Sequence, residues 1–217
     1  PDLVIENCLS GGRMINDFTN AISQIHWIRD GGGSGMQHAH SNIREALGAV
    51  QFLPLTDVQR WTNRINEVSD PEEIRYYCRS AMIGVWGIST DLTLINETQR
   101  KIVKTEIDHY RNLNQVKKSQ LYEIQYHEPS IPIASICYYQ DRLEKAYVLA
   151  FHSADSGKDI INVVPQKLKR ENLYTVKNLD TAELVVMRGD VITKQVIPLK
   201  INENKQSTLL LIEAKHR

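Results

Sequence analysis

The opening of the chain joins a short apolar run to a polar turn that contains glycine. Residues 3–5, LVI, are apolar and rich in β-branched side chains, and the run is too short for a helix. No polar residue interrupts it, which predicts a buried strand of a parallel sheet that is covered on both faces. Ligands gather at the carboxyl ends of such strands. The polar segment ENCLS, residues 6–10, is therefore expected at a binding site.

A second strand, a helix and a third strand are predicted over the next segment. The apolar run of AISQIHWIRD, residues 21–30, ends in Arg29 and Asp30 and is followed by GGGSG. Ser41 is expected to cap a helix, because four apolar residues between positions 43 and 50 follow it at helical spacing. AVQFLP, residues 49–54, is then a candidate third strand.

Two further helices are predicted from their capping residues. Asp70 is a suitable N-cap, a proline follows it at the first helical position, and Glu73 completes a capping box. The spacing on this helix places Cys78 on the apolar face, so we expect its thiol in the core. Asn96 and Gln99 form a similar capping pair for the helix NETQRKIVKTEIDHYRNL, whose apolar stripe faces the core and whose polar remainder faces water.

The pattern of apolar and polar residues changes near Glu128. EPSIPIA breaks the helical pattern, and seven β-rich runs follow, separated by turn residues: ASICYYQ, AYVLAFHS, IINVVP, LYTVKN, AELVVMRGD, ITKQVIPLKI and STLLLIEA. Short strands at such regular intervals predict an antiparallel sandwich. The domain boundary is expected at residues 121–130.

Composition narrows the class of protein. With 217 residues and 41% hydrophobic residues, the chain is long enough for one large or two small domains with real cores. The 26 basic and 26 acidic residues balance, so charge gives no reason to expect nucleic acid or an anionic membrane as a partner. The three cysteines, Cys8, Cys78 and Cys137, are odd in number and far apart, which indicates free thiols.

Asp30 is the sharpest candidate for chemistry, because it combines a strand end with a glycine-rich successor. A glycoside hydrolase needs two carboxyl groups, and the sequence displays only one. On composition alone, an Asp that caps a helix or forms a turn is the more frequent case. GGGSGM lacks the spacing of a phosphate-binding loop, so we reject nucleotide binding and expect a mobile loop or a flexible segment.

Other candidates are weaker. His38 and His40 would face the same side of a strand, as two metal ligands could, but no third ligand stands nearby, so surface histidines are expected. Cys8 has no acid–base partner in the sequence, which favours a small polar wall residue over a nucleophile.

The pair ENCLSGGR and HWIRD resembles two motifs of the α-galactosidases of glycoside hydrolase family thirty-six, the melibiase-like enzymes. In that family a strand ends in Glu-Ser/Asn-Cys-Ser/Ala-Ser-Gly-Gly, and a Trp-x-Ser-Asp motif at the same distance supplies the general acid/base. Here Trp27 and Asp30 match the second motif, with Asp30 placed 22 positions after Cys8. AMIGVWGISTDLTLINETQRKIVKTEIDHYRNL, LYTVKN and ELVVMRGD also look like later segments of the family.

The resemblance implies a fold of class α/β plus all-β. The C-terminal portion of a β/α (TIM) barrel would occupy residues 1–125, and an antiparallel β-sandwich domain would occupy residues 126–217. It implies a retaining α-galactosidase-like glycosidase that needs no metal or organic cofactor and acts on α-galactosides or related oligosaccharides. Asp30 would protonate the glycosidic oxygen and later deprotonate water. The residues expected to bind substrate are Cys8, Gly11, Gly12, Arg13, Trp27 and Arg29.

Two departures from the family pattern leave the sugar open. Glycines occupy positions 31–33, where the family usually carries polar or acidic residues, and Asn16 stands where the family usually has Asp after the Arg of its Gly-Gly-Arg motif.

The family's nucleophile lies in a Lys-x-Asp motif upstream of the Cys motif. No residue before Pro1 supplies it, and a strand is predicted almost at once, so we expect a segment of a longer enzyme that is inactive alone. A catalytic Pro1 of tautomerase type is disfavoured because those chains are far shorter. The missing N-terminal part or a second copy of the chain is then an expected partner. A noncatalytic carbohydrate-binding or structural fragment, and transglycosylation, stay open as alternatives.

Overall fold

The computed structural model describes residues 3–30, 36–62, 65–66, 68–128, 133–152, 160–194, 197–200 and 207–215. The chain forms two compact units, which divide between Asp108 and His109. Each unit is described by itself below. Every helix among the described residues is too short or too polar to cross a membrane.

The first unit alternates strands and helices. Its elements are β1 (Glu6–Asn7), α1 (Asp17–Ile22), β2 (Ile25–Trp27), α2 (Met36–Ala49), β3 (Val58–Thr62), α3 (Pro71–Ala81), β4 (Val85–Ile88) and α4 (Glu97–Lys117), within which the division falls. The four strands form one parallel sheet in the order β1-β2-β3-β4, and a helix lies in each crossover. This is the arrangement of consecutive β/α units, as the strand–helix–strand pattern predicts.

The two faces of this sheet differ in burial. On β3 the side chains of Val58, Arg60 and Thr62 are buried, and α2 and α3 contact this strand. The alternate residues Gln59 and Trp61 face the other side, where Trp61 keeps 37% of its surface exposed. Among the described residues of this unit, the helices therefore cover one face of the sheet only.

The prediction of a buried strand at residues 3–5 is wrong. The strand begins at Glu6, and Leu3 and Val4 are 79% and 60% exposed. The physical reason is the position of β1 at the edge of the sheet, where it pairs only with β2 among the described strands.

Three predictions for the next segment also differ from the structure. α2 begins at Met36, so Ser41 lies inside the helix and does not cap it. AVQFLP is not a strand: Leu53 and Leu55 are buried in the turns after α2, and the third strand is β3. The start of the run 21–30 belongs to α1 instead of to a strand.

The capping predictions for α3 and α4 are confirmed. The Asp70 carboxylate accepts hydrogen bonds from the amides of Glu72 and Glu73, and Glu73 completes the capping box of α3. Asn96 and Gln99 exchange side chain to backbone hydrogen bonds of 3.0 Å at the start of α4. The Cys78 thiol is fully buried, as its helical spacing indicates.

The second unit is built mainly from antiparallel strands. They are β5 (Leu121–Glu128), β6 (Ile133–Tyr139), β7 (Lys145–Phe151), β8 (Ile160–Val163), β9 (Leu173–Asn178), β10 (Leu184–Arg188), β11 (Ile197–Lys200) and β12 (Ser207–Ala214), with the short helix α5 (Gly189–Ile192) after β10. Six strands form a sheet in the order β10-β9-β12-β7-β6-β5, and β11 pairs with β8. Both sheets contribute to one apolar core, which includes Val148, Val163, Tyr174, Ile197 and Leu210.

Each of the seven predicted β-rich runs contains one strand of this unit, so the antiparallel C-terminal region is confirmed. The strand that the prediction omitted is β5, which starts soon after α4 ends. The sandwich arrangement, the barrel and the boundary between residues 125 and 126 stay predictions.

Candidate functional site

The turn after β1 packs directly on the backbone that follows β2. Ser10, Gly11 and Gly12 all have positive φ angles, of 54°, 53° and 84°. A β-carbon built on Gly11 would lie 2.1 Å from the amide nitrogen of Asp30, and one on Gly12 would lie 2.6 Å from the carbonyl oxygen of Ile28. Glycine at these two positions therefore serves both the left-handed backbone and the close approach.

Asn7 anchors the start of this turn. Its side-chain amide donates to the carbonyl of Met14 at 3.2 Å, and its carbonyl oxygen accepts from the amide of Leu9 at 3.2 Å. The same amide nitrogen lies 3.3 Å from Nδ1 of His26, the residue paired with Asn7 across β1 and β2. The Asn of the ENC motif thus ties the turn to both strands, a role that the sequence alone did not reveal.

A pocket of about 600 Å³ opens at this end of the two strands. The residues that line it are Ser10, Gly11, Arg13, Ile28, Arg29, Asp30 and Glu45. Four residues of the predicted site meet in this lining, namely Gly11, Arg13, Arg29 and Asp30. The other three, Cys8, Gly12 and Trp27, are not part of the lining.

Asp30 is exposed at the pocket. No described residue gives its carboxylate a hydrogen bond or an ion pair. The loop that follows it, GGGSG, falls outside the described residues, so the mobile-loop prediction and the role of the glycines at 31–33 stay untested.

Glu45 is a pocket residue that the sequence analysis missed. It lies on α2, and its carboxylate pairs with Nη1 of Arg29 at 2.5 Å and with Nη2 of Arg60 at 3.3 Å. Arg60 is buried, and it also donates to the side-chain oxygen of Asn42 on α2. The only sequence signal for Glu45 as a pocket residue was its position on the helix that follows the WIRD motif. Its ion pairs join residues of different elements, and sequence spacing does not indicate such pairs.

The charges of Arg29 and Glu45 act on Arg60, and the charges of Arg60 and Arg29 act on His38. Burial lowers the pKa of Arg60 to about 10, a shift that Glu45 opposes and Arg29 reinforces. Burial, with Arg60 and then Arg29, also lowers the pKa of His38 to about 4. His38 is therefore a neutral imidazole near neutral pH.

The prediction that His38 and His40 are surface residues is wrong. His38 and His40 lie on α2, where His38 is buried and His40 is half-buried with its ring edge-on to Tyr76 at 5.7 Å. Both histidines lie within α2 because the helix begins at Met36, before the predicted cap at Ser41. The described residues contain no group of three or more His, Cys, Asp or Glu arranged to hold a metal ion.

Cys8 is exposed, and its thiol donates to a carboxylate oxygen of Glu6 at 3.0 Å. This hydrogen bond, followed by desolvation and the negative charges of Glu6 and Asp30, raises the pKa of Cys8 to about 11. A thiol held in its protonated form is a poor nucleophile. The geometry thus favours a polar surface group at this position.

Trp27 lies at the end of β2 with its ring edge-on to Trp61, at a centroid distance of 4.9 Å. Trp61 in turn covers Gly87 on β4: a β-carbon at Gly87 would come within 2.7 Å of the indole. The two indoles therefore sit on the sheet face that the helices leave uncovered in the described residues.

Comparison with solved structures adds independent information. The chain is similar to the GH36 α-galactosidase AgaA from Geobacillus stearothermophilus, with a TM-score of 0.80 and 16% identity over 98% of this chain and 29% of that one. The galactosidase domain of the α-galactosidase-sucrose kinase AgaSK gives a TM-score of 0.79 and 17% identity over 99% of this chain and 29% of that one. An α-galactosidase from Lactobacillus brevis gives a TM-score of 0.72 and 13% identity over 92% of this chain and 27% of that one.

The chain therefore has the fold of part of a GH36 α-galactosidase, and it spans about 29% of the length of the first two of these proteins. The resemblance noted from its sequence motifs is confirmed at the level of the fold. Variants of AgaA have been solved in complex with raffinose and with stachyose. No family model and no curated protein matches the sequence.

Proposed function

We propose that the chain is the C-terminal part of a retaining α-glycosidase of the α-galactosidase type. One observation carries the proposal: in a fold similar over nearly its whole length to GH36 α-galactosidases, Asp30 lines a polar pocket at the carboxyl end of β2. Carboxyl groups at the strand ends of β/α barrels are where such enzymes hold their chemistry.

Asp30 acts as the general acid/base in this proposal. It protonates the glycosidic oxygen as the leaving group departs and then removes a proton from the attacking water. Its exposure at the pocket supports this role, because the carboxyl group must reach both the substrate and water. The Gly11–Asp30 contact supports it further, since it restrains the main chain from which the carboxyl group extends.

The sugar contacts follow from the same pocket. Arg13 and Arg29 supply guanidinium donors, and Gly11 leaves space beside Asp30. We assign Cys8 and Gly12 to the adjoining wall, and Trp27 to the apolar surface beside it. Cys8 would contact the sugar as a neutral thiol.

The nucleophile is not assigned to a residue of this chain. The second carboxylate of the pocket, that of Glu45, is engaged by two arginines and serves as their counter-ion. A retaining enzyme holds its two carboxyl groups roughly 5 Å apart across the glycosidic bond. The proposal therefore requires a strand from outside the 217 residues to bring an acidic residue opposite Asp30.

The test uses the full-length polypeptide that carries this chain, with the 217-residue chain assayed beside it. The full-length protein should hydrolyse an aryl α-galactoside and not the β-anomer, and proton NMR should detect α-galactose as the first product. The 217-residue chain alone should give no turnover. Release of β-galactose, or robust turnover by the short chain, would contradict the proposal. Adding a second sugar as acceptor distinguishes hydrolysis from transglycosylation, because only the latter yields a new glycoside.

A further inference from the structure

We propose that the pocket beside Asp30 binds an oxyanion carried by the substrate, such as the carboxylate of a uronic acid or a sulfate or phosphate ester on the sugar. This inference names the substrate class of the proposed glycosidase site and rests on that proposed function. It is argued from the charges and contacts of the arginines around the pocket.

Positive charges outnumber negative ones at this site. Arg13 and Arg29 line the pocket, and Arg60 stands behind them, whereas Asp30 and Glu45 are the carboxylates of the lining. Within the described part of the chain, no carboxylate pairs with Arg13, which is exposed. The lining itself carries two arginines and two carboxylates, and Arg60 adds a third positive charge behind Glu45, so the guanidinium of Arg13 is available to an anionic group of a ligand.

Glu45 does not neutralise both of its partners. Its single charge is shared between Arg29, at 2.5 Å, and Arg60, at 3.3 Å. Arg60 is buried, with 3% of its side chain exposed, and a buried guanidinium depends strongly on its counter-ion. Arg29 is 40% exposed, so its charge is only partly compensated at the surface of the pocket.

The pair also orients Arg29 for binding. Glu45 contacts one terminal nitrogen, Nη1, and no other described side chain bonds to the guanidinium. A guanidinium carries five donors in a rigid plane, and its fork matches the two oxygens of a carboxylate or sulfate. Arg29 is thus held in place with donors to spare, which reduces the entropy lost when a ligand binds.

His38 lies on the same helix as Glu45, and its protonation is opposed first by burial and then by the charges of Arg60 and Arg29. A neutral sugar would leave the charge of Arg13 to water alone, whereas an oxyanion would form charge-assisted hydrogen bonds with it. The geometry therefore favours an anionic glycoside.

The experiment measures binding to the full-length protein by calorimetry at low salt. The probes are methyl α-galactopyranoside, the corresponding galacturonate and the 6-sulfate, and the readout is the ratio of charged to neutral affinity. We expect at least one charged probe to bind about tenfold more tightly than the neutral one. The carboxylate and sulfate arms identify which oxyanion is preferred.

Variants locate the effect. Arg13→Gln and Arg29→Gln should each reduce the affinity ratio by about tenfold, and Arg29→Lys should give an intermediate ratio because it keeps the charge and loses the fork. Arg44→Gln is the matched control: Arg44 is exposed on α2 next to Glu45 and is not part of the lining, so the ratio should not change. Circular dichroism verifies that each variant is folded.

The outcomes separate the two proposals. Equal affinity for charged and neutral α-galactosides, with hydrolysis of the neutral one, overturns the anionic preference and leaves the glycosidase proposal standing. A charged preference that survives both glutamine variants also overturns the inference. Absence of binding by all three sugars, with no hydrolysis, overturns both.

Discussion

Gly11 lies so close to Asp30 that a β-carbon on the glycine would come within 2.1 Å of the aspartate's amide nitrogen. The turn after one strand thus supports the main chain after the next, and the position of the candidate acid/base depends on it. Because Gly11 also has a φ angle of 53°, any side chain there meets both a steric and a conformational penalty.

Gly11→Ala should therefore lower the free energy of unfolding by about 1–3 kcal/mol. The matched control is Gly48→Ala in α2, where a β-carbon would meet no atom within 4 Å. That change should be neutral or stabilise by about 0.5–1 kcal/mol, because alanine is the better helix former. Urea unfolding of both variants measures the difference. Equal stabilities would show that the turn accommodates a side chain at position 11 without an energetic cost.

Asp30→Asn in the full-length enzyme should preserve binding and remove proton donation, a contribution worth about 10²- to 10⁴-fold in rate. The loss should be largest for substrates with poor leaving groups and small for α-galactosyl fluoride, whose departure needs little protonation. Steady-state kinetics with both substrates and added azide provide the measurement. A uniform loss with no glycosyl azide product would assign Asp30 to the turn alone.

Glu45→Gln should destabilise the first unit, because the substitution leaves the buried Arg60 without its counter-ion. The expected loss is about 1–3 kcal/mol, which includes a discount for the partial exposure of Glu45. Glu72→Gln is the control. Glu72 also pairs with an arginine at 2.5 Å, but that partner, Arg75, keeps 29% of its side chain exposed, against 3% for Arg60, so the loss should stay near about 0.5 kcal/mol. Chemical unfolding compares them.

Glu45→Gln also tests the assignment of Glu45 as a counter-ion in the full-length enzyme. Turnover should persist, in contrast to the loss of a covalent nucleophile. Complete loss of turnover in a folded variant, restored by added azide, would instead identify Glu45 as the nucleophile.

The stability of the chain should fall as pH drops from about 6.5 to about 4. His38 has its pKa lowered to about 4 by burial and by Arg60 and Arg29, whereas an unfolded histidine binds a proton near 6.5. In this window the unfolded state takes up a proton that the folded state refuses, so acid favours unfolding.

The expected loss from His38 is about 1–2 kcal/mol after discounting for solvent near the ring. His26, whose pKa is also lowered by burial, adds to it with the same sign. Urea unfolding at pH 7 and pH 4.5 gives the slope, which should be shallower in His38→Gln. An unchanged slope would mean that His38 is protonated in the folded chain.

Cys8 should react slowly with iodoacetamide at pH 8 despite its exposure, because its pKa is raised to about 11 by the hydrogen bond to Glu6 and by nearby negative charge. Glu6→Gln should accelerate the reaction by about tenfold, since the gain in thiolate is partly offset by its lower intrinsic nucleophilicity. Mass spectrometry of the labelled peptide separates Cys8 from the buried Cys78 and Cys137. Equal rates in the two proteins would remove Glu6 as the cause.

The elements that could be predicted from sequence are those whose signals are local. The caps at Asp70 and Asn96 lie within one turn of the groups that they bind, so residue type and spacing sufficed. The strand β3 was missed because its inward side carries Arg60, whose charge is balanced by a residue of α2 that sequence spacing does not reveal. The prediction of a buried strand at residues 3–5 failed for the opposite reason: the composition of LVI indicates burial, but the segment leads into the edge strand β1.

The candidate site divides in the same way. The approach of Gly11 to Asp30 brings together the two motifs ENCLSGGR and HWIRD that were identified in the sequence. No sequence pattern indicated that Glu45 would also line the pocket. The prediction of surface histidines failed because the sequence spacing did not indicate that α2 already includes His38, whose side chain the helix buries.

The strand order of the second unit affects how the unit folds during its synthesis on the ribosome. β12 lies between β7 and β9 in the middle of the six-stranded sheet. Before β12 emerges, pairing within this sheet is available only among β5, β6 and β7 and between β9 and β10, and the edges of β7 and β9 lack the strand that joins them. Such long-range pairing slows folding and leaves nascent chains open to aggregation. A stalled or truncated translation product that ends before Ser207 should therefore be a substrate for chaperones, because the edges of β7 and β9 that pair with β12 stay unpaired.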